Sequence, residues 1–110
     1  MSTRLTDETL VDKAGSGDRA AFVGTKRLKV IRQTYQPGGT HVPHHHPTTE
    51  QAYYIVSGKG RVRVADEVFE VGPNTMIYLP PKVEHEMLAL GDKPLVNLLI
   101  CVDLEEDEVA

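Results

Sequence analysis

The feature that most constrains the fold is a regular succession of short strand-like segments separated by turns. From residue 26 to residue 103, β-branched and aromatic stretches alternate with clusters of Gly, Pro, Asn and Asp, which is the pattern of short strands joined by tight connections. Many evenly spaced short strands are typical of an antiparallel sandwich or barrel. The sequence therefore predicts an all-β fold, with strands near 26–36, 40–46, 51–57, 60–65, 67–71, 75–79, 84–90 and 95–103.

The length of the chain limits it to one such unit. A chain of 110 residues, of which 40% are hydrophobic, can bury one core and not two. We expect an N-terminal helix or arm over residues 1–25, a β-barrel domain over 26–103 and an acidic tail over 104–110.

The helix is expected over Leu5–Ala14. Thr6 is a possible N-terminal cap, the acidic residues after it suit the first helical turn, and Gly15 begins a segment that ends the helix.

The charge distribution argues against a nucleic-acid-binding module. The net charge is −4, but five of the 16 acidic residues lie within 103–108, so the rest of the chain is nearly neutral. We expect a solvated tail. The chain has one basic cluster, which consists of Lys26, Arg27, Lys29 and Arg32. We interpret these residues first as charges at a strand edge that discourage aggregation. The less favoured alternative is that Arg27 or Arg32 binds an anion.

A single cysteine excludes an intrachain disulfide. Cys101 lies in an apolar strand and is expected to be a buried core residue of a protein in a reducing compartment. No apolar N-terminal segment follows Met1, and the longest apolar run, 95–102, is far shorter than the roughly 20 residues of a membrane span. We therefore expect a soluble, cytoplasmic protein.

Four side chains form a candidate metal site: His44, His46, Gln51 and His85. Three imidazoles and one amide oxygen are the kind and number of donors that hold a divalent transition metal. In an extended chain His44 and His46 point to the same face, Pro47 ends the strand, and Gln51 opens the returning one. A solvated histidine loop is the simpler alternative; the combined spacing favours a site.

Two neighbouring residues leave alternatives open. A strand irregularity could turn Glu50 inward in place of Gln51, and otherwise Glu50 is a surface residue or a support for the site. His41 is expected to be solvated, although Pro43 could redirect it.

Alternation along the strands predicts which side chains line a pocket. Tyr53 follows Gln51 on one face and Met87 follows His85. Met76 and Tyr78 share a face of their strand, and we take them as pocket-lining, although Ile77 and Leu79 on the opposite face fit the pattern equally well.

The spacing of these residues resembles the first motif of the cupins, which are small jelly-roll β-barrels. Gly38 is followed by five residues, His44, one residue, His46, four residues, Gln51, six residues and Gly58. The resemblance covers about residues 27 to 102 and implies the cupin fold with His44, His46, Gln51 and His85 as metal ligands.

The second cupin motif is degraded. Asn74 and Lys82 stand where the family has glycines, Ala89 replaces its trailing asparagine, and His85 is retained. Gln51 occupies the position of the family's usual glutamate ligand. An amide in place of a carboxylate leaves the full charge of Zn, Ni, Fe, Mn or Co uncompensated, which favours anionic, chelating ligands.

Three functions are compatible with this pattern. A site of three histidines and one glutamine resembles that of small cupins that open or linearise unsaturated uronates, which implies a metal-dependent isomerase or lyase acting on a keto acid, hydroxy acid or sugar acid. Tyr53 and Glu50 are weak candidates for moving a proton. The alternatives are a non-haem dioxygenase and a module that binds or senses a small ligand without turnover.

Exposed edges of a small barrel also suggest a two-fold dimer, in which the terminal strands near 26–36 and 95–103 could exchange or pair.

Overall fold

The computed structural model describes residues 9–14, 17–23, 25, 27–40 and 47–109, and these form nine strands and one turn of 3₁₀ helix. The strands are β1 (Thr9–Ala14), β2 (Gly17–Val23), β3 (Leu28–Tyr35), β4 (Thr49–Ser57), β5 (Lys59–Val64), β6 (Glu67–Val71), β7 (Met76–Leu79), β8 (His85–Leu90) and β9 (Leu95–Asp103), and the 3₁₀ turn spans Glu106–Glu108.

The strands form two antiparallel sheets. The larger has the order β1-β2-β3-β9-β4-β7 and the smaller the order β6-β5-β8. Neighbours such as β3 and β9 are distant in sequence, as in a jelly roll. The predicted all-β architecture is confirmed, and the predicted strands from β3 onward match the observed ones to within about two residues. The predicted strand 40–46 lies outside the described residues except for Thr40.

The predicted helix over Leu5–Ala14 is wrong where the structure describes it. Thr9–Ala14 is strand β1, and it pairs with β2, with Thr9 opposite Ala21 and Ala14 opposite Gly17. β2 pairs in turn with β3 along its whole length. A capping pattern is only a weak local preference, and the neighbouring strand overrides it by completing the backbone hydrogen bonds. Residues 5–8 lie outside the described part.

The core lies between the facing sides of the two sheets. Strict alternation generates it: β9 buries Leu95, Asn97, Leu99 and Cys101 and leaves the residues between them half-buried. Gly38 pairs with β8 through its N–H, which donates to Ala89 O at 2.9 Å. The buried apolar side chains are Ile31, Tyr35, Tyr53, Ile55, Val62, Val71, Ile77, Leu79, Met87, Ala89, Leu95, Leu99 and Cys101.

Two turn residues have left-handed backbones where the cupin pattern has glycine. Asn74 has φ of 68° and Lys82 also has φ of 68°. Asparagine enters this region more readily than most residues, whereas a lysine there is strained by about 1 kcal/mol. The turns are thus kept although the glycines are not.

The acidic tail folds back on the barrel. The N–H of Leu104 donates to Thr48 O at 2.8 Å, and Arg27 forms an ion pair with Glu108 at 3.2 Å. The acidic residues of the tail are exposed, as expected, and these two contacts hold it beside the first residues of β3 and β4. No helix among the described residues is long and apolar enough to cross a membrane.

Candidate functional site

Gln51 lies on the interior face of β4. It is 6% exposed, and it alternates with Ala52 so that Tyr53 and Ile55 follow it inward. The pairing of β4 with β9 is regular from Thr49 to Ile55 and shifts only beyond Ile55. The irregularity that could have turned the preceding residue inward is therefore absent from this stretch of β4.

Glu50 accordingly faces outward. Its carboxylate accepts a hydrogen bond from the Tyr78 hydroxyl at 2.7 Å on the outer side of the larger sheet. This hydrogen bond, and to a lesser degree burial and the nearby negative charge, raises the pKa of Tyr78. Glu50 is thus engaged away from the interior.

His85 is the first residue of β8 and is 2% exposed. Its ring meets the Tyr53 ring edge to face, with centroids 6.2 Å apart and an interplanar angle of 83°. Because Tyr53 comes from β4 and His85 from the smaller sheet, this contact joins the two sheets. It places His85 on the same interior as Gln51, which lies two residues before Tyr53.

The acidic residues on both sides of His85 are fixed on the outside of the smaller sheet. Arg63 donates to Glu84 at 2.8 Å and to Glu86 at 2.7 Å, and also to Ala65 O at 2.7 Å. The hydrogen bond to Glu86, followed by the one to Glu84, raises the pKa of Arg63. With both flanking side chains tied outward, alternation directs His85 inward.

His44 and His46 lie outside the described residues, as do His41 and His45, but both ends of the interval that contains them are described. Before it, Thr40 lies opposite Leu88 of β8 and its hydroxyl donates to Met87 O at 2.7 Å. After it, Thr49 begins β4 and donates to Asp103 Oδ1 at 2.9 Å. The two ends thus lie beside the strands that carry His85 and Gln51.

The four predicted pocket-lining residues separate into two pairs. Tyr53 and Met87 are each 1% exposed and belong to the interior. Met76 and Tyr78 are instead 60% and 54% exposed, because β7 turns Ile77 and Leu79 inward. Both faces of this strand are apolar in sequence, so only the packing of β7 against β4 decides between them.

Met76 and Tyr78 border an open surface groove of about 330 Å³ between the edges of the two sheets. It is lined by Val64, Glu67, Phe69, Met76, Ile77, Tyr78 and Pro80.

Two interior amides were not singled out by the sequence. Gln33 on β3 and Asn97 on β9 are directly opposite each other, 6% and 0% exposed. Within the described part of the chain, Gln33 Oε1 and Asn97 Oδ1 accept no hydrogen bond, while Asn97 Nδ2 approaches Met87 Sδ at 3.9 Å. The alternation of β9 could have revealed Asn97, since it shares the face of Leu95 and Leu99.

The buried polar side chains of the described residues are thus uncharged amides and one imidazole: Gln33, Gln51, His85 and Asn97. Among residues 25, 27–40 and 47–109, whose burial is described, no buried side chain is a carboxylate. No group of three or more His, Cys, Asp or Glu residues in the described part of the chain is arranged to hold a metal. Two of the four predicted ligands lie outside those ranges, so this result does not bear on the complete set.

The chain belongs to the cupin family. The family model for the cupin domain matches residues 31–101, which is most of the chain. This agrees with the two-sheet architecture and with the histidine motif.

Two curated relatives match the chain in sequence. The uncharacterized protein MJ1618 of Methanocaldococcus jannaschii is 41% identical over 58 residues, which cover 53% of this chain and 46% of that protein. Oxalate decarboxylase OxdC of Bacillus subtilis is 28% identical over 109 residues, covering 91% of this chain and 28% of that protein. The chain thus spans less than half the length of these curated relatives.

Among solved structures, KdgF from Halomonas sp. superposes with a TM-score of 0.77 at 22% identity, over 93% of this chain and 92% of that one. A likeness at this level of identity establishes the fold, and function has to be argued from the site.

Proposed function

We propose that the protein is a metal-dependent enzyme that acts on a small, oxygen-rich acid, with His44, His46, Gln51 and His85 as the metal ligands. The observation that carries the proposal is the burial of Gln51 and His85 on one interior, where the contact of His85 with Tyr53 holds the two sheets together. An imidazole and an amide are tolerated in a protein interior where they hydrogen-bond or bind a polar ligand.

The two described donors fit a divalent transition metal. Gln51 directs its Nε2 at a sulfur atom, so that its oxygen is the end left to face a cation. The segment that contains His44 and His46 begins after Thr40, which lies opposite Leu88 of β8, and ends before Thr49, the first residue of β4. The strands β8 and β4 carry the other two donors, His85 and Gln51. The eight residues between Thr40 and Thr49 are enough for His44 and His46 to approach the same interior.

The metal would supply Lewis acidity toward vicinal oxygens of the substrate. The chain would supply a neutral pocket: no carboxylate of the described core opposes an anionic substrate. Tyr53 Oη is our candidate for holding or delivering a proton, because Glu50 is on the outer side of the sheet. Met87 and Tyr53 would exclude water and orient the carbon skeleton.

The similarity to an oxalate decarboxylase supports a small acid as the substrate class. Because this chain corresponds to 28% of the oxalate decarboxylase, its own reaction has to be measured directly.

Metal content tests the ligand set. Protein produced without metal supplementation should contain close to one equivalent of a transition metal by mass spectrometry, and His46→Ala or His85→Ala should abolish it. His45→Ala is the matched control, because alternation directs this neighbour to the opposite face. A wild-type protein that retains none of Zn, Ni, Fe, Mn or Co would overturn the proposal.

Substrate turnover separates the enzyme classes. A panel of keto, hydroxy and sugar acids should be converted without consumption of oxygen, and conversion should stop on chelation and return with the metal. Oxygen consumption dependent on iron would instead identify the non-haem dioxygenase.

The second candidate is a module that binds a small ligand without turnover. It is favoured by one observation: the core of the described residues contains no carboxylate that could act as an acid or base. Binding of a hydroxy acid that survives removal of the metal, with no product formed, would support this function over the first.

We also propose a homodimer. The strands β3 and β9, which could exchange or pair between subunits according to the sequence, are each flanked by a strand on both sides. Among the described strands, the edges of the larger sheet are β1 and β7, and one of these edges is where a second copy would pair. A monomer in sedimentation at micromolar concentration would contradict this.

A further inference from the structure

Of the two residues that lie opposite Gln51 on the neighbouring strands of the larger sheet, one can form a hydrogen bond with its side chain. In the register of this sheet, Gln51 lies opposite Cys101 of β9 on one side and opposite Leu79 of β7 on the other. Cys101 is 5% exposed, and Gln51 Nε2 donates to its Sγ at 3.3 Å. Leu79 is apolar, so Cys101 is the cross-strand neighbour able to bind the amide.

This contact distinguishes the two ends of the Gln51 amide. The oxygen of an amide can coordinate a cation and its NH₂ group cannot, but the two ends have nearly the same size and shape. An amide held only by packing would present either end to the interior. A sulfur acceptor on the β9 side binds the NH₂ end, and the oxygen then points away from β9.

We propose that Cys101 is a positioning residue that orients Gln51 so that its oxygen faces the metal. The inference rests on the proposed function, since it requires that Gln51 is a ligand. It assigns a role to a thiol that composition alone would leave as core packing, and it depends on the register of β4 against β9 rather than on reactivity of the thiol. It also matches the ligand type: a glutamate at position 51 has two oxygens, either of which could face the metal, so Cys101 would not be needed to choose between its two ends.

That difference supplies the test, a double-mutant cycle with metal affinity as the readout. Zn²⁺ and Co²⁺ dissociation constants would be measured by chelator competition for wild type, Cys101→Ala, Gln51→Glu and the double variant. Loss of a group that orients a ligand typically weakens metal binding 10–100-fold. Because a thiol is a weak acceptor, we expect about 10-fold for Cys101→Ala in the wild-type background and no change in the Gln51→Glu background.

Two further variants separate orientation from packing. Cys101→Val fills the space without an acceptor and should weaken binding as Cys101→Ala does, whereas Cys101→Ser keeps an acceptor and should recover part of the affinity. Leu99→Val, on the same face of β9, removes a similar volume and should lower thermal stability without changing metal affinity. The visible absorption bands of the Co²⁺ form should change for Cys101→Ala and not for Leu99→Val.

The outcomes distinguish the two proposals. Equal losses from Cys101→Ala in both backgrounds, or unchanged affinity in Cys101→Val, would overturn the positioning role and leave the metal site standing. A wild-type protein that binds neither Zn²⁺ nor Co²⁺ would overturn the proposed function itself. If Cys101→Ala does not fold, the same comparison holds with Cys101→Val in its place.

Discussion

Replacing Gly58 with alanine should destabilise the barrel far more than the same change at other turn glycines. Gly58 connects β4 to β5 with φ of 86°, and a Cβ added there would lie 2.8 Å from Leu95 Cα, 3.0 Å from Pro94 C and closer still to Pro94 O. These are backbone atoms at the start of β9, where Leu95 is 0% exposed. They cannot move aside without shifting the strand.

The magnitude follows from two contributions. A left-handed backbone costs a residue with a Cβ about 1–2 kcal/mol, and forcing extra volume into a packed region costs about 1–3 kcal/mol. Gly58→Ala should therefore lower the free energy of unfolding by about 3 kcal/mol. For a domain of this size that corresponds to a fall in Tm of roughly 15 °C.

Gly91→Ala is the matched control. Gly91 has φ of 79°, and a Cβ there would meet nothing within 4 Å, so only the backbone contribution of about 1 kcal/mol applies. Thermal and denaturant unfolding of both variants would give the comparison directly. Equal losses would refute the reasoning, because they would mean that the approach of β9 to Gly58 contributes nothing.

Three other changes test the charges and the core. Glu50→Ala, which removes the acceptor, should bring the raised pKa of Tyr78 back toward its ordinary value in a near-ultraviolet absorbance titration, with Tyr78→Phe as the reference; an unchanged pKa would rule out the hydrogen bond as its cause. The pKa of Glu108 is lowered first by the hydrogen bond from the backbone N–H of Glu105 and then by Arg27. The small stabilisation from Glu108 is therefore present above the ordinary carboxyl pKa of 4.5 and is lost as pH falls through the lowered value. The stability difference between wild type and Glu108→Gln should thus vanish in acid, and a difference that grows there would contradict the assignment. Asn97→Leu should leave stability unchanged or raise it by about 1 kcal/mol in urea unfolding, since it removes a buried oxygen that accepts no hydrogen bond from the described residues, whereas a loss above about 2 kcal/mol would reveal a partner such as a buried water.

The interior face of β4 could be predicted from sequence, and that of β7 could not. In β4 a polar Gln51 begins a series that continues with Tyr53, so the period of two fixes the whole face once one member is known. In β7 both faces are apolar, with Met76 and Tyr78 on one and Ile77 and Leu79 on the other. Alternation divides such a strand into two sets but does not say which set is buried.

The N-terminal segment shows a different limit. Local signals favoured a helix over Leu5–Ala14, and no residue there indicates that β2 would lie alongside as a partner. Strand formation depends on hydrogen bonds to another segment, and the residues of one segment do not show whether such a partner is present.

For this protein, the positions along the chain of the described strands from β3 onward, the turns between them and the set of candidate metal ligands followed from the sequence, because periodicity, glycine and proline act within a few residues. The tertiary structure decided what depends on distant segments meeting. It placed Cys101 beside Gln51 and turned Glu50 outward to Tyr78. Contacts of this kind join residues far apart along the chain, and they exist only once β9 and β7 have paired with the two sides of β4.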